Sequence, residues 1–138
     1  MLYINSSIGI FGYEYKPHLT IKYGIHDETP QYILPYIQNS GNLLINYGKI
    51  TIFDGNSGYD VVKIDVSGDA LYKINELIIK NTITTDKYPI YSPHVTIAYV
   101  KKGTGKKFLN DETFDKLTDE VNSVLFTSFN GNEYYINL

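Results

Sequence analysis

An α+β domain made of two similar lobes is the fold class this chain predicts, and three features of the sequence predict it. A heptapeptide occurs twice, as Pro17-His18-Leu19-Thr20-Ile21-Lys22-Tyr23 and as Pro93-His94-Val95-Thr96-Ile97-Ala98-Tyr99, 76 residues apart and matching at five of seven positions. Both copies alternate and carry β-branched or aromatic residues, the pattern of a strand. Residues 69–79 place Ala70, Leu71, Ile74, Leu77 and Ile78 at helical spacing. Residues 43–53 and 59–66 flank the turn cluster Asp54-Gly55-Asn56-Ser57-Gly58, and the segments up to Phe129 and over 133–136 flank Asn130-Gly131, so both pairs read as hairpins.

Taken in order, residues 2–11 fit a strand or an extended arm through Tyr3, Ile4, Ile8 and Ile10. In each heptapeptide strand the apolar face is expected to be buried: Leu19, Ile21 and Tyr23 in one, Val95, Ile97 and Tyr99 in the other. Thr29-Pro30 reads as a helix N-cap followed by proline at the first helical position. Ile33, Leu34 and Ile37 give that helix an apolar face, Asn39-Ser40-Gly41 ends it, and Pro35 keeps it short or kinked. In the first hairpin Val62, Ile64 and Val66 alternate with Lys63 and Asp65, which predicts one buried and one wet face. A loop containing Thr84-Thr85-Asp86-Lys87 and Pro89 leads to the second heptapeptide, an irregular basic loop occupies 101–107, and Phe114, Leu117 and Val121 predict a short helix from about Asp111.

At 138 residues and 43% hydrophobic content the chain suits one domain over 1–138, with lobes roughly at 13–66 and 67–138. A net charge of −3 gives no global attraction to nucleic acid or anionic membrane. The absence of cysteine removes disulfides, thiolate metal sites and cysteine nucleophiles together. No segment is long and apolar enough to span a bilayer, and the apolar run at 8–11 is too short for a secretory signal, so a cytoplasmic protein is expected.

The chemistry lies in the repeat. Residues i and i+2 of a strand share a face, so each copy presents a histidine beside a threonine: His18 with Thr20 and His94 with Thr96. Phosphodiester cleavage needs one group to take a proton from the attacking oxygen and another to protonate the leaving oxygen, and two imidazoles titrating near neutrality can share those tasks. Hydroxyl donors aimed at the phosphoryl oxygens stabilise the charge that gathers there. A lone His-x-Thr is unremarkable, but with 11 threonines in the chain, two of three histidines preceding Thr by chance has odds of roughly 2 in 100, before the shared Pro, Ile and Tyr are counted. His26, the third histidine, reads as solvated surface.

These paired motifs resemble the two-histidine (2H) phosphoesterase superfamily, defined by one His-x-Thr/Ser in each lobe of a duplicated fold. The resemblance implies a two-lobed architecture similar to 2′-5′ RNA ligases, with antiparallel sheets, a cleft between the lobes and helices outside. It also implies a phosphodiesterase that needs no metal or cofactor, with His18, Thr20, His94 and Thr96 as its catalytic residues. The Tyr23-Gly24 and Tyr91-Ser92-Pro93 flanks, the Lys- and Gly-rich loop and the short length are most similar to small phage and prophage members. Among these, the anti-CBASS nucleases degrade bacterial cyclic-oligonucleotide signals.

Candidate substrate contacts are Lys22, one alternate position beyond Thr20, Tyr91 for stacking on a base, and Lys101, Lys102 and Lys106 of the basic loop, where Gly103 and Gly105 let backbone N–H groups approach a phosphate. Tyr13 and Tyr15 are further stacking candidates. Gly105-Lys106-Lys107 lacks the spacing and the Ser/Thr of a P-loop, and no His/Asp/Glu cluster has metal-ligand spacing. The expected partner is a small nucleotide or cyclic oligonucleotide, since the basic charge is local and long RNA would need an extended basic track. Alternatives are a 2′,3′-cyclic phosphodiesterase, a 2′-5′ RNA-end processing enzyme, a non-catalytic nucleotide sponge, and a viral structural module.

Overall fold

The computed structural model describes residues 1–5, 16–53, 58–85 and 90–138, with 2–5 taken as backbone only. The expected turn at 54–57, Tyr13, Tyr15, the arm beyond Asn5, and Asp86, Lys87 and Pro89 lie outside the described residues. The fold is α+β. Eight strands, β1 (Leu2–Asn5), β2 (His18–Lys22), β3 (Leu43–Phe53), β4 (Tyr59–Ser67), β5 (His94–Lys101), β6 (Thr118–Val121), β7 (Ser123–Thr127) and β8 (Glu133–Asn137), form one sheet. Their order is β6-β3-β4-β5-β2-β1-β7-β8 and every neighbouring pair is antiparallel.

Both expected hairpins form, β3–β4 and β7–β8, the latter turning through Gly131 at φ +86°. The sheet interleaves the two halves of the sequence. The heptapeptide strand β2 joins β1 and the C-terminal hairpin, while β5 joins the N-terminal hairpin β3–β4, and β2 meets β5 at the centre.

One sheet face carries the core. Leu19, Ile21, Val95, Ile64, Ile45 and Phe126 are at most 1% exposed and pack with Leu71, Ile74 and Ile78 of helix α2 (Asp69–Asn81). At about 1.5–3 kcal/mol for each fully buried aliphatic or aromatic side chain, this layer fixes which side of each strand points outward. The helix at Pro30 is short, as the two prolines require: a 3₁₀ turn over Pro30–Tyr32 is followed by α1 (Leu34–Gln38), and Gly41 at φ +68° ends the segment.

No helix forms from Asp111. The Asp111 carboxylate accepts hydrogen bonds from the Thr113 N–H and hydroxyl, and Asn110 and Lys116 take left-handed conformations at φ +65° and +68°, which interrupts helical hydrogen bonding. Residues 118–121 pair instead with β3 as the sheet's outer strand, Leu43 facing Val121. Across this strand Tyr47 donates its hydroxyl to Asp119 at 3.0 Å.

Both heptapeptide strands carry a β-bulge at the same position. On β2, Thr20 pairs with Tyr3 and Lys22 with Leu2, leaving Ile21 as the extra residue. On β5, Thr96 pairs with Lys63 and Ala98 with Val62, leaving Ile97 as the extra residue. An inserted residue reverses the side-chain alternation beyond it. That corrects the expected faces: Tyr23 and Tyr99 are exposed at 60% and 46%, whereas Lys22 is buried at 6%.

Candidate active site

The pair Leu19–Val95 joins β2 to β5 with both side chains buried in the core. Because the pairing is antiparallel, the next positions on the opposite face place His18 across from Thr96 and Thr20 across from His94. The four side chains thus form a quadrilateral on one face of two adjacent strands, with the histidines on a diagonal. Diagonal neighbours of this kind stand roughly 7–8 Å apart at the backbone, within reach of long or aromatic side chains. The bulges end the quadrilateral, since beyond each threonine the alternation slips.

Each histidine is held in the same way. His18 Nδ1 lies 2.9 Å from the Lys16 carbonyl oxygen, and His94 Nδ1 lies 2.8 Å from that of Ser92. A carbonyl only accepts, so Nδ1 carries the proton in both rings and Nε2 is the nitrogen suited to proton transfer with a substrate. Both rings are thereby oriented by backbone two residues upstream, which makes the equivalence of the copies chemical as well as positional.

The surroundings differ. Beside His94, the register sets Lys63 across from Thr96 and Asp65 across from His94. Lys63 donates to Asp65 Oδ1 at 2.5 Å and to Thr51 Oγ1 at 2.6 Å, and Thr51 donates to Asp65 at 2.7 Å. The Lys63 ammonium sits 4.5 Å from the centre of the Phe53 ring, whose edge-to-face partner at 5.1 Å is His94. Lys63 was expected on the wet face of the hairpin, yet its side chain is only 7% exposed against 47% for Asp65. Beside His18 the corresponding register positions on β1 are Tyr3, across from Thr20, and Asn5, across from His18.

Burial pushes His94 below the ordinary imidazole pKa; the Ser92 carbonyl and Asp65 act in the opposite direction, while Lys63 and His18 reinforce the lowering.

Several expected substrate contacts stand elsewhere. Lys101 is seven positions beyond His94 on β5, about 23 Å along a strand rising 3.3 Å per residue. In the following loop, the N–H groups of Gly103 and Gly105 donate to Asp60 Oδ2 at 2.9 and 3.0 Å, and Lys102 pairs with Asp60 Oδ1 at 3.4 Å. The backbone donors expected to meet a phosphate thus hold a buried carboxylate, whose pKa is lowered first by the Gly105 N–H and further by Gly103 and Lys102. Lys106 lies in a 3₁₀ turn over Gly105–Phe108 beyond that anchor. Lys22 is turned from the histidine face by the bulge. Tyr91 is a tie between strands: its hydroxyl donates to the Thr20 carbonyl at 2.9 Å, its ring meets Tyr72 of α2 edge-on at 5.6 Å, and burial raises its phenol pKa.

Sequence reasoning missed Asn75, a buried polar residue within the apolar stripe of α2, which donates to the Ile21 carbonyl at 2.7 Å. Asn75 and Tyr91 together satisfy two consecutive carbonyls at the β2 bulge, where the ladder is interrupted. His26 is exposed and within 3.0 Å of the Thr85 hydroxyl. Among the described residues no three His, Asp or Glu side chains converge to hold a metal, and no helix is long and apolar enough to cross a membrane. In comparison with known proteins, the chain matches no family model and no curated protein.

Proposed function

We propose that this chain is a phosphodiesterase of the two-histidine kind, with duplicated lobes meeting at β2 and β5, that hydrolyses a small nucleotide in the cytoplasm. The observation that carries the reading is the Leu19–Val95 pair, which sets each histidine opposite the other motif's threonine on one face. With a phosphoryl group over this quadrilateral, one imidazole removes the proton of the attacking oxygen and the other protonates the leaving oxygen. Thr20 and Thr96 donate to the non-bridging oxygens. Proton transfer and charge stabilisation are then both assigned to side chains, and no metal is required by the scheme.

A compact substrate suits the site better than long RNA. A polymer needs a continuous basic track with repeated stacking positions, and Lys101, where the basic loop begins, stands about 23 Å along β5 from His94 by strand rise. Phe53, 43% exposed and in contact with His94, supplies an aromatic surface beside the reacting group instead. A cyclic oligonucleotide of the kind used as a bacterial immune signal is the substrate class proposed, with a phage-encoded nuclease as the biological setting.

The test is product analysis after incubation with cyclic di- and trinucleotides, 2′,3′-cyclic nucleotides, 2′-5′ oligomers and single-stranded RNA, with and without EDTA. Linearised cyclic oligonucleotide formed equally well in EDTA is the expected result. Cleavage confined to 2′,3′-cyclic ends or 2′-5′ linkages moves the enzyme to RNA-end processing, and tight binding without any product makes it a sponge.

A further inference from the structure

The two histidines are alike in sequence and in their Nδ1 contacts, and His94 stands beside the Lys63–Asp65 ion pair. We propose that Lys63, clamped by Asp65 and Thr51 on the strand next to β5, makes His94 the general base and leaves His18 as the general acid. This rests on the phosphodiesterase reading and assigns the two roles within it.

The geometry supplies the reason. Lys63 and Asp65 lie across from Thr96 and His94 in the β4–β5 register, on the face that bears the quadrilateral. The partners are unequally solvated: the Asp65 side chain is 47% exposed, and water screens its charge, whereas Lys63 is 7% exposed and keeps its field inside the protein. Among the described residues, three charged or titratable groups act on His94: Lys63 and Asp65 from β4 and His18 from β2, while β3 contributes the neutral Phe53. Burial, Lys63 and His18 all oppose a positive ring at His94, and Asp65 with the Ser92 carbonyl favour it. A neutral His94 accepts a proton at Nε2; a positively charged ring cannot.

The attacking water oxygen forms a bond to phosphorus as its proton passes to His94 Nε2. The bond from phosphorus to the leaving oxygen breaks as that oxygen takes the proton from His18 Nε2. His94 ends protonated and His18 neutral, and exchange of one proton each with solvent restores both. Lys63 touches no reacting atom in this scheme; it is a positioning residue that acts through His94.

The experiment compares pH–rate profiles for the wild type, Lys63→Met, Lys63→Arg and Asp65→Asn, together with NMR titration of both imidazoles in each protein. The acidic limb of the profile reports the base, which must be neutral, and the basic limb reports the acid. Removing the ammonium should move the acidic limb and the His94 titration up by about half to one pH unit, and Asp65→Asn should move both down. Lys63→Arg should restore the wild-type positions, and the basic limb should stay in place throughout. A shift of the basic limb alone reverses the roles and overturns the assignment. An unmoved His94 titration in Lys63→Met also overturns it. The NMR arm needs no substrate, so absence of phosphodiester cleavage would refute the enzyme reading separately from the Lys63–His94 coupling. If Lys63→Met is unfolded by circular dichroism, the double variant Lys63→Met/Asp65→Asn removes both charges, and the His94 titration must still rise, because the Lys63 charge is buried while that of half-exposed Asp65 is screened by water; no rise overturns the proposal.

Discussion

Ile21 and Ile97 are the extra residues of two β-bulges, each directly after the threonine of a His-x-Thr motif. The repeat thus extends from side chains to backbone geometry. A bulge interrupts the ladder, so the carbonyls beside it need other donors, and on β2 these are the Tyr91 hydroxyl and the Asn75 amide.

Asn75→Ala should therefore destabilise the protein by about 1–3 kcal/mol in urea unfolding, because it strands the buried Ile21 carbonyl. Tyr91→Phe should cost about 0.5–1.5 kcal/mol, the net worth of one hydrogen bond. A Tyr91→Phe protein as stable in urea as the wild type would show that the bond to the Thr20 carbonyl contributes nothing net.

The bulges also explain what the sequence conveys and what it conceals. The motifs, both hairpins and α2 are legible because each rests on local pattern: repeated residues, turn clusters and 3.6-residue spacing. The faces of Lys22, Tyr23 and Tyr99 are not legible, since one inserted residue inverts them and its position depends on the partner strand. Lys63 looks like a wet hairpin residue because strand alternation cannot register Phe53 folding over it or Thr51 beneath. The missing helix at Asp111 has the same origin: Phe114, Leu117 and Val121 have helical spacing, but pairing with β3 outweighs it.

The basic loop gives a second prediction. Asp60 anchors it through Gly103 and Gly105, far along β5 from the histidines. Asp60→Ala should abolish the protection of those two amides in hydrogen exchange. Lys101→Ala, Lys102→Ala and Lys106→Ala should each leave kcat/KM within about twofold. A large rise in KM in any of the lysine variants would return the loop to the substrate site.

His94 links stability to pH. Its folded-state pKa lies below its unfolded value, so the unfolded chain binds the proton more tightly. The contribution is fully present above the unfolded imidazole pKa, about 6.5, and is lost as pH falls through the lower folded value. Wild-type Tm should consequently fall more steeply than that of His94→Gln as pH drops from about 7 to about 5. Parallel curves would show that His94 is solvated alike in both states.

The last prediction separates proton transfer from charge stabilisation. His18→Ala and His94→Ala should each lower turnover by about two to four orders of magnitude, because each removes a proton-transfer partner from opposite ends of one reaction. Thr20→Ala and Thr96→Ala remove a donor to the phosphoryl group and leave both imidazoles, so their losses should be smaller and fall on kcat more than on KM. The two histidine losses should also fail to add: once one partner is gone the concerted transfer is lost, and the double variant should be little slower than either single one. Additive losses would mean that the two imidazoles act in separate steps. Full turnover in either single histidine variant would remove the paired mechanism, even if nucleotide still bound to the face that carries them.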